Sequence, residues 1–226
     1  MSELLDAITS LEASGSVFRG KMAAFDDGRL YCPWLEWVKI SVPNAEPKGL
    51  LLMQDWGNQP ETLSSAVASI GQAATQRHHP DRTLGNLFRT GWGDAINSGN
   101  WIVSNAIWGI RKEGSSKCGY LGDEVHKAAF PVWCKLITSL AHHEFRVLVA
   151  GEWAVFAKEF DNTEGRMGLR DYLLMWLKWV QTGRHGINAA ALKTTIERVP
   201  EGAIVFSTRH PCLWNINTDW SKGPIT

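Results

Sequence analysis

Three side chains of complementary chemistry stand where apolar runs of this chain give way to polar residues. Asp55 lies in Leu-Leu-Met-Gln-Asp-Trp-Gly-Asn (51–58), Asn105 in Trp-Ile-Val-Ser-Asn-Ala-Ile-Trp (101–108) and His210 in Ser-Thr-Arg-His-Pro (207–211). A carboxylate can orient a water, an amide can read a base edge, and an imidazole can stabilise a leaving anion. Each residue alone has a plainer reading: Asp55 as a helix N-cap after a strand, Asn105 as a turn residue, His210 as a loop histidine before proline. It is their joint placement at the ends of apolar runs that makes a candidate active site.

The elements that must hold them follow from the pattern of the chain. Short apolar runs over 50–53, 101–104, 145–149 and 203–206 suit buried parallel strands, which read as continuous hydrophobic segments. Helical spacing runs over 2–13, 61–76, 123–141, 168–181 and 188–197, and a short helix is expected over 87–97. Gly151-Glu152-Trp153-Ala154 opens a further helix. Residues 30–42, with Cys32-Pro33-Trp34, read as irregular or short extended structure, 77–86 as a polar, basic loop and 109–122 as a Gly/Ser/Lys loop. Strands alternating with helices predict a single α/β domain over 1–226, a three-layer α/β/α sandwich around a mainly parallel four-stranded sheet. A helical extension over about 1–45 and an inserted helical segment over about 158–200 complete it. Open sheets of this kind place their sites beyond the carboxyl ends of the strands, which is where Asp55, Asn105 and His210 fall, with Gly151 beside them.

Composition narrows the classes. The chain has 226 residues, 44% apolar and 20% charged, with zero formal net charge, the profile of an ordinary globular domain. No apolar stretch approaches the roughly 18 residues that a membrane helix needs. The first residues, Met-Ser-Glu-Leu-Leu-Asp, lack the basic and apolar zones of a signal peptide, so a cytoplasmic location is expected. Cys32, Cys118, Cys134 and Cys212 form no C-x-x-C pair, which speaks against a zinc or iron–sulfur site and for buried free thiols. Zero net charge argues against strong non-specific nucleic-acid binding but leaves room for a local basic face. Arg77, His78, His79, Arg82 and Arg89 make one group, and Arg111, Lys112 and Lys117 another; solvated loop charges are the plain alternative. Most of the twelve tryptophans belong to core or rim packing, and stacking on a base is the alternative use.

Taken in order, the motifs resemble those of the uracil-DNA glycosylase superfamily. Met53-Gln54-Asp55-Trp56-Gly57 is similar to the family's Gly-Gln-Asp-Pro-Tyr or its variant ending in Gly. Ile102-Val103-Ser104-Asn105-Ala106 corresponds to Leu-Leu-Leu-Asn-Ala, Val149-Ala150-Gly151-Glu152-Trp153-Ala154 to the strand leading to Trp-Gly-x-x-Ala, and His210-Pro211-Cys212 to His-Pro-Ser. The four span about 49–214, most of the chain. The resemblance implies hydrolysis of an N-glycosidic bond in DNA after the nucleotide flips out of the duplex, at a cost of a few kcal/mol of unstacking. It makes Asp55 the residue that positions the water and stabilises the cation at C1′, and His210 the donor to O2 of the departing pyrimidine. Asn105 would pair with the base at N3 and the C4 substituent, and the backbone at Gln54 would help hold O2. No metal or cofactor is implied, because such a leaving group needs only preorganised electrostatics. Phe88 is the candidate ring for stacking on the flipped base, with Trp56 a second. Leu213 or Trp214 would be the wedge that fills the vacated stack. Arg209, Arg77 and His78 are further candidates for DNA contact. DNA is the expected partner, with no membrane and no obligate protein partner, and a monomer is expected.

The chain also departs from the branch most selective for uracil, which has Tyr two residues after the Asp. Here that position is Gly57, so a bulky C5 substituent would not be blocked there. Family branches with Gly at that place also remove uracil. Asn105 leaves the base open as well: one amide orientation suits uracil, the flipped one cytosine. The expected function is therefore a monofunctional glycosylase for uracil or a C5-modified pyrimidine. An antiviral enzyme removing hypermodified cytosine, such as glucosylated hydroxymethylcytosine of phage DNA, is an alternative, and a non-catalytic reader of modified bases is another. An unrelated α/β hydrolase or nucleotide-binding protein fits poorly, since neither a G-x-S-x-G elbow nor a phosphate loop is present.

Overall fold

The computed structural model describes residues 22–23, 32–56, 62–76, 79–111, 121–151, 166–182, 187–214 and 223–224. Its centre is a sheet of five strands. Gly49–Met53 (β2), Trp101–Asn105 (β3), Arg146–Ala150 (β5) and Ile204–Thr208 (β7) run parallel, and Arg166–Gly168 (β6) runs antiparallel along β7, in the order β3-β2-β5-β7-β6. Met22–Ala23 (β1) and Ile110–Arg111 (β4) pair separately as a two-stranded ribbon. Every residue of β2 and β3 is buried. That explains why these strands read as unbroken apolar runs rather than alternating ones.

All four strands expected from the sequence form, within one or two residues of the expected bounds. The sheet nevertheless has five strands, not four. Arg166-Met167-Gly168 carries neither alternation nor a β-branched residue, and it is a strand only because β7 offers it an open edge: Arg166 pairs with Phe206, Met167 with Val205 and Gly168 with Ile204. The 158–200 segment is thus not purely helical; it supplies one edge of the main sheet.

Seven helices surround the sheet among the described residues: Pro33–Ser41 (α1), Leu63–Thr75 (α2), Arg82–Phe88 (α3), Trp92–Asn97 (α4), Asp123–Leu140 (α5), Leu169–Val180 (α6) and Ala189–Glu197 (α7). They fall into two groups. Helices α1 to α4 pack on one another, with α1 and α4 against β3, whereas α5, α6 and α7 pack together, with α6 against β6 and β7. The expected helix over 2–13 and the one opened by Gly151 lie outside the described residues, apart from Gly151 itself.

Two expectations for the first group are corrected. Residues 33–41 are helical, not irregular. Pro33 occupies the first turn, where its missing N–H removes no bond and its fixed φ favours the helix. Glu36 in the first turn and Lys39 in the last suit the helix dipole. The basic segment is not all loop either: α3 begins at Arg82, where the Asp81 carboxylate caps it by accepting from the Leu84 N–H at 2.8 Å. Thr62 caps α2 in the same way, accepting from Ser65 N–H at 3.1 Å, so Asp55 is not the cap of the helix that follows its strand.

Candidate active site at the carboxyl edge of the sheet

The parallel strands end level with one another. Met53 pairs with Asn105, Leu52 with Val149, and Ala150 with Thr208. Beyond that row, Asp55 follows β2 by two residues, His210 follows β7 by two, Gly151 follows β5 by one, and Asn105 is the last residue of β3. The chain leaves β2 for β3 on one side, and β5 and β7 lie on the other, so the order reverses beside β2. Ligand sites of open α/β sheets form at such reversals. Adjacent strands lie about 4.8 Å apart. The strands that lead to Asp55 and His210, β2 and β7, are two spacings apart across β5, about 10 Å, with β3 and Asn105 one strand further out. Gly151 takes φ 113 at the end of β5, a left-handed conformation suited to glycine; it puts no side chain between Asp55 and His210.

Local hydrogen bonds fix each corner. Ile107 N–H donates to the Gln54 carbonyl at 2.8 Å and Ala106 N–H to that of Met53 at 2.7 Å, so the turn after β3 is tied to the segment bearing Asp55. The buried Gln54 side chain donates through Nε2 to Asp55 Oδ2 at 2.8 Å, holding the half-buried carboxylate. On the far side, Gly151 N–H donates to the Thr208 carbonyl at 2.9 Å. Beyond it the His210 ring turns back on its own chain: Nδ1 accepts from the Cys212 N–H at 3.3 Å. A neutral imidazole that accepts at Nδ1 carries its proton at Nε2, so His210 presents an N–H donor. The 211–213 turn is clamped to α3 by Asn86, whose Nδ2 donates to the Pro211 carbonyl at 2.8 Å.

Asn105 is the most enclosed of the three, 1% exposed. Its carbonyl accepts from Trp108 Nε1 at 3.0 Å and Ser104 Oγ at 3.1 Å. Its backbone N–H, which faces away from β2, donates to Cys32 Sγ at 3.3 Å, and the same thiol donates to Asn105 Oδ1 at 3.7 Å. The amide nitrogen, Nδ2, is buried without a hydrogen-bond partner among the described residues. A buried orphan donor costs about 1–3 kcal/mol.

Aromatic rings gather alongside. Trp34, two residues past Cys32, stacks on Phe88 at 6.2 Å and meets Trp56 edge-on at 6.3 Å, while Trp37 meets Phe88 edge-on at 6.3 Å. Trp34 and Trp37 are buried, whereas Trp56 and Phe88 are only partly so. The sequence thus named two rings that come together, and it missed Trp34 between them. It also missed Cys32 and Asn86, which touch Asn105 and the His-Pro loop only through contacts across 73 and 125 residues.

The proposed wedge positions divide. Trp214 is 6% exposed, packs against Trp92 at 5.8 Å and donates its Nε1 to the Arg209 carbonyl at 2.8 Å. That is a packing residue, and a ring so held does not reach into a base stack. Arg209 is exposed. The side chain of Leu213 lies outside the described residues, as do Gly57, Arg77 and His78.

Cys32, Cys134 and Cys212 are free thiols. Burial pushes the Cys32 thiol up from its ordinary value, so it is protonated and able to donate. Among the described residues, no group of three or more His, Cys, Asp and Glu is gathered to hold a metal ion, and no helix is long and apolar enough to cross a membrane. Comparisons with protein-family models, curated proteins and solved structures each found no match.

Proposed function

We propose that this chain is a monofunctional DNA glycosylase of the uracil-DNA glycosylase superfamily, built as a three-layer α/β/α sandwich and acting on a flipped-out pyrimidine. The observation that carries this reading is the convergence of Asp55, Asn105 and His210 at one reversal of strand order, beside partly buried aromatic rings. In the reaction a water oxygen forms a bond to C1′ while the C1′–N1 bond breaks and its electron pair leaves with the base; the proton the water gives up neutralises the departing base anion. Asp55 orients the water and stabilises the positive charge at C1′. The Nε2–H of His210 donates to O2 of the departing anion, where a preorganised donor is worth about 10²–10³ in rate. Asn105 reads the base edge, and Phe88 and Trp56 offer stacking faces. On this reading DNA is the partner, the protein works in the cytoplasm, and no cofactor enters.

The test is base release from two DNAs, one carrying uracil and one carrying glucosylated hydroxymethylcytosine, scored as alkali-sensitive abasic sites. Release from the first marks a repair enzyme and release from the second a defence enzyme. Asp55→Asn and His210→Ala should each lower single-turnover release by about 10²-fold or more with the folded state intact. If both variants leave it unchanged, the reading fails. DNA binding without abasic product would turn the assignment to a non-catalytic reader.

A further inference from the structure

Cys32 stands at the N-cap position of α1, yet its side chain makes no cap bond. It faces Asn105 instead, accepting the backbone N–H at 3.3 Å and donating to Oδ1 at 3.7 Å. The residue is 2% exposed; the Ser104 hydroxyl donates to the Asn105 carbonyl, and its oxygen, 3.6 Å from the sulfur, is a second acceptor that shares the thiol proton with Oδ1. The two ends of an asparagine amide differ only in what they offer, Oδ1 an acceptor and Nδ2 two donors. A protonated thiol on one side selects the end that accepts. That leaves Nδ2 as the buried atom with no partner among the described residues.

We propose that Cys32 is a positioning residue that locks the Asn105 amide with Oδ1 toward the thiol and Nδ2 toward the ligand, and so sets which pyrimidine edge the site accepts. The substrate half of this proposal rests on the glycosylase reading above; the orientation half does not. A base that satisfies the site must set a hydrogen-bond acceptor against Nδ2. That acceptor is the C4 carbonyl of a uracil-type base or the ring N3 of a cytosine-type base. A locked amide takes one and rejects the other, because the wrong edge leaves buried polar groups unpaired. Without the thiol proton the amide can rotate by half a turn, exchanging donor and acceptor, and the discrimination is lost.

The experiment uses the full chain and four oligonucleotides identical but for one base: uracil, cytosine, 5-hydroxymethyluracil and 5-hydroxymethylcytosine. Matching the C5 group isolates the C4 edge. Wild type should prefer one C4 class by roughly a hundredfold in single-turnover release. Cys32→Ala, and Cys32→Val as the variant that keeps more of the volume, should cut that ratio by about tenfold or more. Cys32→Ser, which keeps a donor, should hold it within about threefold. Rates that fall together with the ratio unchanged, or a wild type that does not discriminate, would overturn the proposal. A second readout needs no activity. In the free protein, the side-chain amide protons of Asn105, identified by their loss in Asn105→Asp, should show no NOE to Hβ of residue 32 in wild type and in Cys32→Ser, and one should emerge in Cys32→Ala, where the lock is gone. A strong NOE in wild type refutes the orientation directly. Absence of base release from all four DNAs, with the expected NOE pattern intact, would instead count against the glycosylase reading alone.

Discussion

The two helix groups each hold an aromatic cluster, and the clusters end differently. Between α5 and α6, Phe130, Trp133, Tyr172 and Trp176 are fully buried, with Trp133 edge-on to Trp176 at 5.4 Å and to Phe130 at 4.9 Å. Trp179 closes that cluster from outside under the Lys127 ammonium, 4.9 Å from its ring, and the same Nζ donates to Thr182 Oγ1 at 3.0 Å. Around α1 and α3, Trp34 and Trp37 are buried but Trp56 and Phe88 only partly so. One cluster is finished within the core; the other keeps parts of two rings at the surface. Tryptophan content alone does not separate the two uses.

Truncating each cluster tests the distinction. Trp176→Ala should cost about 3–5 kcal/mol of stability, read from chemical denaturation, and Trp133→Ala a similar amount. Trp56→Ala should barely move the denaturation midpoint yet weaken binding of DNA carrying the target base by about 1–3 kcal/mol, the usual worth of one stacked base. Equal losses of stability from Trp56 and Trp176 would erase the contrast.

The contrast is only partly legible in the chain. The four parallel strands and the placement of Asp55, Asn105 and His210 follow from apolar runs that end in polar residues, a local signal. What stayed hidden depends on distant partners. Pro33 reads as a break until the chain is seen to begin a helix there. Arg166–Gly168 has no strand pattern of its own and borrows its conformation from β7. Trp214 follows the His-Pro motif by a few residues, but its burial is decided by Trp92, more than a hundred residues earlier. The thiol that orients Asn105 lies before α1, and nothing in its neighbours marks it.

A smaller effect should come from the clamp joining the two sides of the site. Asn86→Ala removes the donor to the Pro211 carbonyl. It should cost about 1 kcal/mol in stability and lower base release several-fold, through a looser His210, while leaving DNA affinity nearly unchanged. A change in affinity alone would move Asn86 from the chemistry to DNA contact.

The finished cluster's side has its own titration. Burial pushes the Cys134 thiol in α5 from 9.0 up to about 12. The unfolded chain then ionises first as pH rises, so this contribution to stability is full below pH 9 and is lost toward pH 12. Its loss between pH 9 and 10 should be about 1 kcal/mol, and denaturation of Cys134→Ala at the same two pH values should show a slope shallower by that amount.

The strand β6, three residues long, has a consequence for where the sheet can open. By lying along β7 it makes Ile204–Phe206 interior, with ladder bonds on both flanks, while Ser207 and Thr208, which lead to His210, pair with β5 alone in the sheet. Asn105, by contrast, ends the outermost strand at the other margin, secured on its outer side by a sulfur contact. Fraying of a sheet starts at its margins. Amide protons of Ile204–Phe206 should therefore be shielded longer than those at the end of β3, where the Cys32 contacts stand in for a neighbouring strand.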